Sequence, residues 1–427
     1  MTNEKLQELT LSINESTSDD IVSVGYGFKT VNGKLTNEKS LVYMVSEKKD
    51  INEIPVDERI PSEINHEGEI LKTDVVEGIV KPQGYGMCDA SFYTWQSNPP
   101  TNQDVHRPLM GGVSVTNFGK LPNYVGTLGF IAVDNETNHL VGVSNNHVLI
   151  DDAWITQERN LSGVHTNVHQ DPVTQPNEQG KSGINFKMGT VIRYQPLSSP
   201  TNFIDCAITN IDEGMIDPSI SWRQHNINGM TSAPRFATTP EINQFLSEDH
   251  REYFSAGRTT GGKGEGVIKL LREQSAASIT ISYNKQGQST TTKMNDTFVL
   301  MASGNTTPTG DTCYFPSNGG DSGSAILTKN EETNEYLIVG LLYGGTYVND
   351  GDNQYPVRSL CNRIDRIEQK MNIRFWDGTM NGIVPYIGGD MLYVVEGASQ
   401  VESIVINGRT YWQLGLGNPN QYPATNA

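Results

Sequence analysis

Apolar and polar positions alternate in short runs along most of the chain. Ile21 to Lys29 and Ser40 to Ser46 are β-rich, and Asn32-Gly33 between them is a two-residue hairpin signal. A short polar helix is expected before them. Breaks follow at Ile54-Pro55 and Ile60-Pro61, then Thr73 to Val80 is strand-like up to the Pro/Gly-rich stretch Lys81 to Gly86. These runs predict an N-terminal domain over residues 1–90, with a polar linker over 91–106 that contains Pro99 and Pro100. From Arg107, strands are predicted at Gly111 to Val115, Gly126 to Val133, His139 to Ser144, Met188 to Tyr194 and Phe203 to Asn210. A second series opens near Ser255, with Gly266 to Leu271, Ser278 to Tyr283, Asp296 to Met301, Ser324 to Leu327 and Tyr336 to Leu342. Strands at this spacing with Gly-bearing turns predict a sandwich or small barrels. The less regular stretch Glu213 to Arg251 would connect the two series.

Arg358 to Phe375 departs from the alternation. Leu360, Ile364, Ile367 and Met371 recur at three- and four-residue steps, which predicts an amphipathic helix closing the second series. Beyond it, Met391 to Val395 and Ser403 to Ile406, followed by Asn407-Gly408, predict another hairpin before a Pro/Asn-rich tail. No repeat of solenoid period and no low-complexity block interrupts the chain.

Composition agrees with a turn-rich β protein: of 427 residues, 42 are Gly and 17 Tyr, and the apolar fraction is 36%. The formal charge of −18 disfavours nucleic acid as a partner, because phosphate binding needs clustered Lys and Arg. No stretch approaches the roughly 20 apolar residues of a membrane span, so no membrane partner is expected. Met1 to Ser18 carries Glu4, Lys5 and Glu8 and lacks the basic start and apolar run of a secretory signal. Cys88, Cys206, Cys313 and Cys361 form neither a CxxC pair nor a dense disulfide framework. The simplest reading is a soluble, reduced, cytoplasmic protein.

The sharpest local signal is Gly319-Gly320-Asp321-Ser322-Gly323-Ser324, followed by the apolar run Ala325-Ile326-Leu327. Small residues around Ser322 let the backbone turn tightly, expose the hydroxyl and aim N–H groups at one point. A serine hydroxyl is a poor nucleophile unless a general base reaches it and a third group orients that base. His147, after the strand-like Val143-Ser144, is the candidate base. Asp205, in Phe203-Ile204-Asp205-Cys206-Ala207-Ile208, is the candidate orienting acid. Burying Asp205 unpaired would be costly, and a hydrogen bond to an imidazole would offset that cost.

These three segments resemble the trypsin-like, chymotrypsin-fold serine peptidases, which share the chain order His, Asp, Ser. Ser144-Asn145-Asn146-His147-Val148 resembles their histidine motif, Asp205-Cys206-Ala207-Ile208 their aspartate motif and Gly320-Asp321-Ser322-Gly323 their serine motif. The chain is most similar to a bacterial group of these enzymes with a small N-terminal domain. Val24-Gly25-Tyr26-Gly27, Lys48-Lys49, Asp74-Val75-Val76-Glu77, Arg107-Pro108, Gly111-Gly112, Gly126-Thr127-Leu128-Gly129 and Gly257-Arg258-Thr259-Thr260-Gly261 match that group. The resemblance spans about residues 20 to 375.

It implies a mainly β fold: a chymotrypsin-like double β-barrel with a small N-terminal α+β domain and a C-terminal helix plus β extension. The first barrel and its connecting segment would occupy residues 107–250, the second barrel and closing helix 251–375, and an extension 376–427. The resemblance further implies an oxyanion hole made by the N–H groups of Gly320 and Ser322. Val339 to Gly345 would run beside the substrate, with Tyr343, Gly344 and Gly345 binding it, and Pro316 and Ser317 would wall an uncharged specificity pocket. Secreted trypsins place cysteines where this chain has Val148 and Asn318, and no Ile-Val-Gly-Gly sequence opens the first barrel. Asp321 therefore needs a partner other than a freed N-terminus, or the enzyme is switched by a different route.

Singly, His147 reads as a core histidine, Asp205 as a strand-end cap and Ser322 as a turn residue; together and in this order they read as a triad. His165, His169 and Asp171 sit among Asn, Gln and Pro and read as a solvated loop rather than a metal site. Asn349-Asp350-Gly351-Asp352-Asn353 lacks the spaced Glu of a calcium loop, Cys206 reads as a small core residue, and Gly261-Gly262-Lys263-Gly264 lacks a following Ser/Thr signature. The expectation is a serine endopeptidase that needs no metal or cofactor and acts on protein or peptide substrates, with the N-terminal domain regulating access or docking a protein partner. The alternatives are a noncatalytic peptide-binding or assembly module on the same scaffold, or a protein that cuts only itself.

Overall fold

The alternation along the first 80 residues folds as strands whose two faces meet different neighbours. The structure is a computed structural model, and it describes residues 2–16, 20–31, 34–82, 101–117, 125–150, 172–176, 187–225, 227, 230–248, 251–255, 257–260, 268–285, 288–302, 317–350, 353–384, 401–406, 409–414 and 423–424. Helix α1 (Asn3–Ser16) precedes β1 (Ile21–Val31), β2 (Lys34–Val45), β3 (Glu63–His66), β4 (Glu69–Glu77) and β5 (Ile79–Pro82). On one face of β2, Leu41 and Tyr43 pack with Val24 and with Leu9 of α1. On the other, Val42 and Met44 pack with Val76 and Val80. Period-two alternation on a sheet covered on both sides produces the unbroken apolar run Leu41 to Val45.

Then come β6 (Ser114–Asn117), β7 (Gly126–Thr127), β8 (Phe130–Asp134), β9 (Leu140–Ser144), α2 (Asn146–Leu149), β10 (Pro172–Thr174), β11 (Lys187–Tyr194), β12 (Thr201–Asn202) and β13 (Ala207–Asn210). The remaining strands are β14 (Arg235–Phe236), β15 (Glu252–Ser255), β16 (Ile268–Lys285), β17 (Gln288–Ala302), β18 (Ala325–Lys329), β19 (Tyr336–Asp350), β20 (Asn353–Arg363), β21 (Ile373–Phe375), β22 (Val401–Ile406), β23 (Arg409–Leu414) and β24 (Pro423–Ala424). Two further helices span Thr239–Phe245 and Ile364–Met371. The protein is mainly β.

The first sheet runs β21-β8-β9-β13-β11-β10-β6-β7. The second contains the run β17-β20-β19-β18-β15-β16, and β16 pairs back with β17, so these six strands close into a ring. Closure removes free edges, as in a small barrel. The N-terminal strands are continuous with it, since β1 pairs antiparallel with β16 and β5 with β19. Strands β22, β23 and β24 form a separate three-stranded sheet. One core joins Phe130, Val141 and Val143 of the first sheet to Phe298, Ile326 and Leu341 of the second. A second core covers the opposite face of β8 and β9 through Ile131, Val133 and Leu140.

Two expectations are corrected. The predicted helix Arg358 to Phe375 is confined to Ile364–Met371. Arg358 to Arg363 belongs to β20, because its backbone is paired with both β17 and β19, and Leu360 is buried with Ile279 and Tyr343 rather than on a helix face. The predicted strand Phe203 to Asn210 begins only at Ala207, so Asp205 precedes it. Met391 to Val395, and the hairpin turns at residues 32–33 and 407–408, lie outside the described residues. No helix among the described residues is long and apolar enough to cross a membrane.

One pair of half-buried histidines makes stability pH-dependent. The His225 and His106 rings meet at a tilt of 57° with centroids 4.2 Å apart, and partial burial, then the His106 charge, lowers the His225 pKa to about 4 from 6.5. The fold therefore favours neutral His225, and its contribution is complete above about pH 6.5 and is lost as pH falls towards about 4. Urea titrations across that window are expected to show a falling midpoint in the wild type and a flatter dependence in His225→Gln.

Candidate active site

Strand β9 ends at Ser144, whose hydroxyl donates to the Thr127 carbonyl at 2.6 Å. Asn145 stays extended (φ −74°, ψ 150°) before the chain turns into α2, and this places His147 just beyond the strand end. Asp205 lies before β13 and is held by side chains instead of a strand ladder. Its N–H donates to Asn362 Oδ1 at 2.8 Å, and its carbonyl accepts from Asn145 Nδ2 at 2.7 Å. Ser322 sits in the turn that leads into β18.

These residues, 58 and 175 positions from His147, converge on it. His147 Nδ1 lies 2.5 Å from Asp205 Oδ2, and Nε2 lies 2.9 Å from Ser322 Oγ. The His147 N–H also donates to Asp205 Oδ1 at 3.2 Å. Asp205 is fully buried, and His147 and Ser322 are 8% and 2% exposed, so the hydrogen bonds are shielded from water. A carboxylate accepting at Nδ1 keeps the proton there and leaves the Nε2 lone pair facing the hydroxyl.

The turn around Ser322 depends on glycine at two points. Gly320 (φ +97°) and Gly323 (φ +92°) are in the left-handed region, and a Cβ on Gly323 would come within 2.3 Å of both Ser144 Oγ and the Thr127 carbonyl. The turn is tied across to the first sheet, since Thr127 N–H donates to the Ser322 carbonyl at 2.7 Å and Thr127 Oγ1 to the Gly320 carbonyl at 2.8 Å. Among the described residues, none accepts from the N–H of Gly320 or Ser322. Asp321 has the alternative partner the sequence called for: its carboxylate accepts from the amides of Thr259 (2.8 Å), Thr260 (3.0 Å) and Asn318 (2.8 Å). Burial pushes its pKa upwards against the pull of those amides.

The residues expected to bind substrate are placed less simply. Ser317 is buried with its Oγ 2.6 Å from Ser359 Oγ, and Pro316 lies outside the described residues. The Tyr343 side chain is fully buried in a core with Ile281 and Leu360, its hydroxyl 3.2 Å from Thr297 Oγ1, so only its backbone is left to face a substrate. Gly344 and Gly345 pair with Pro82 and Lys81 of β5. The edge of β19 beyond β18 is thus covered by the chain's own strand.

Sequence reasoning missed Tyr283, whose hydroxyl donates to Asp205 Oδ2 at 2.9 Å, and Asn362, which holds the Asp205 backbone. Neither had a sequence signal, since each is an ordinary strand residue brought to Asp205 by folding. Cys206 and Cys361 are free and buried, and burial raises both thiols well above their usual range. Cys88, Cys313, His165, His169, Asp171 and the stretch Gly261 to Gly264 lie outside the described residues, as do residues 351–352. Among the described residues, no group of three His, Cys, Asp or Glu side chains is arranged to hold a metal ion.

No family model matches the chain, and no curated protein matches it. Among solved structures it is similar to a glutamic-acid-specific serine protease that uses a histidine triad in substrate binding, at 13% identity over 63% of this chain and 100% of that one, with a TM-score of 0.36. It is also similar to the chymotrypsin of Cellulomonas bogoriensis, at 14% identity over 63% of this chain and 98% of that one, with a TM-score of 0.34. At that identity and TM-score, any functional reading rests on the side-chain geometry.

Proposed function

We propose that the protein is a serine endopeptidase that hydrolyses peptide bonds through an acyl-enzyme. The observation that carries this reading is the continuous chain Asp205 Oδ2, His147 Nδ1, His147 Nε2, Ser322 Oγ, at 2.5 and 2.9 Å. Ser322 Oγ attacks the scissile carbonyl as His147 takes its proton, and His147 then gives that proton to the leaving amine. Asp205 orients the imidazole and stabilises its cation. The N–H groups of Gly320 and Ser322 would receive the developing oxyanion, a role worth about 100- to 1,000-fold in rate for each donor removed. Incubating the protein with a peptide mixture and sequencing new termini by mass spectrometry tests this reading. Products that vanish in Ser322→Ala support it, and identical digests from both proteins oppose it.

The N-terminal segment would regulate access, as β5 lies along β19 at Gly344 to Tyr347, where an extended substrate would pair. Val80 anchors β5 by packing against two cores. Val80→Asp is expected to loosen β5 and to raise cleavage of peptides with long acyl-side segments more than of short ones, read as the ratio of their kcat/KM values. A cavity of about 340 Å³ on the same segment, bounded by Ile21, Lys48, Lys49, Ile54 and Ile60, is where a regulatory protein partner would engage.

A further inference from the structure

We propose that Tyr283 is a positioning residue for the His147–Asp205 pair, its hydroxyl fixing the carboxylate that orients the imidazole. This deepens the hydrolase reading and rests on it for its kinetic consequence. Asp205 belongs to the first sheet's loops, whereas Tyr283 stands on β16 of the second sheet. Asp205 Oδ2 accepts from both the Tyr283 hydroxyl (2.9 Å) and His147 Nδ1 (2.5 Å), while Oδ1 accepts from the His147 amide (3.2 Å). Three donors from two directions leave the carboxylate one orientation. The Tyr283 ring cannot move to follow a rotated Asp205. It is 1% exposed, packed with Leu197, Ile281 and Met294, and its centroid lies 5.7 Å from that of His147.

Burial, reinforced by the Asp205 charge, holds the Tyr283 phenol well above its usual pKa, so it remains a donor. Cys206, Tyr343 and Cys361 nearby are likewise held protonated by burial and add no competing charge. A neutral donor on Oδ2 also withdraws charge from the oxygen that grips the imidazole. Removing it would make Asp205 hold the protonated ring more tightly. The ring of His147 would then stay charged to higher pH, and fewer molecules would carry a free base.

Two variants at Tyr283 test this through opposite shifts. Tyr283→Phe deletes the donor, and site-specific replacement of Tyr283 by 3-fluorotyrosine strengthens it in nearly the same volume. The primary readout is the titration of the His147 ring by NMR in histidine-labelled full-length protein, which needs no turnover. The midpoint is expected to rise by roughly 0.5 to 1 pH unit in Tyr283→Phe and to fall with the fluorinated side chain, and kcat is expected to drop roughly 5- to 30-fold in Tyr283→Phe with KM little changed. Unmoved midpoints, or shifts of the same sign in both variants, would overturn the proposal. If Tyr283→Phe fails to fold, the fluorinated protein alone decides, by a fall or no fall. Opposite midpoint shifts in a protein whose wild type cuts no peptide would uphold the positioning role and sink the hydrolase reading instead.

Discussion

Ser322→Ala is expected to lower peptide hydrolysis by roughly 10⁴- to 10⁶-fold while leaving peptide binding close to wild type. The loss is large because Ser322 Oγ is the atom that faces His147 Nε2, at 2.9 Å. The turn itself should survive. Its shape is set by Gly320 and Gly323 at positive φ, by the amides that donate to Asp321 and by the Thr127 contacts, none of which uses the Ser322 side chain. Steady-state kinetics with a cleaved peptide, together with binding of that peptide to the variant, separates lost chemistry from lost recognition. Retention of even a tenth of the wild-type rate would remove Ser322 from the nucleophile's role.

Asp205→Asn is expected to cost roughly 10⁴-fold in kcat, with a fold close to wild type. All three groups that meet the carboxylate are donors: His147 Nδ1–H, the His147 amide and the Tyr283 hydroxyl. An asparagine offers one acceptor oxygen and one NH₂. If the NH₂ faces Nδ1, the imidazole must carry its proton on Nε2 and cannot accept from Ser322. If it faces the His147 amide, two donors oppose each other in a buried site. The second arrangement keeps the tautomer but sets donor against donor, so the first is favoured, and it removes the base. The measurement is kcat for the two proteins on one peptide, with circular dichroism to confirm the fold. A kcat within tenfold of wild type would show that the imidazole needs no carboxylate.

What was legible in the sequence follows from how local each determinant is. Gly320, Asp321, Ser322 and Gly323 are contiguous, and their conformations are set largely by residue type, so the nucleophile's turn could be read directly. The histidine was equally accessible, one step beyond an apolar strand. Asp205 was identified correctly as a residue but misplaced within a strand, because side chains as distant as Asn145 and Asn362 take its backbone hydrogen bonds. The same cause explains the helix predicted from Arg358. Leu360 keeps helical spacing with Ile364, yet pairing with β17 and β19 claims residues 358–363 for a strand. The coverage of Gly344 and Gly345 by β5 was invisible, since it depends on a register between segments more than 250 residues apart. Tyr283 was hidden in another way, as a tyrosine in an alternating strand normally signals only packing, and its role appears once two sheets bring its hydroxyl to Asp205.

The central claim is that Ser322 is a nucleophile activated by His147. Labelling the purified protein with a fluorophosphonate probe, and locating the adduct by intact-mass and peptide mass spectrometry, tests that claim most directly. The account predicts a single adduct on Ser322 that is absent in Ser322→Ala and strongly slowed in His147→Ala. No adduct on folded wild-type protein, or labelling at Ser322 that proceeds equally well without His147, would contradict it.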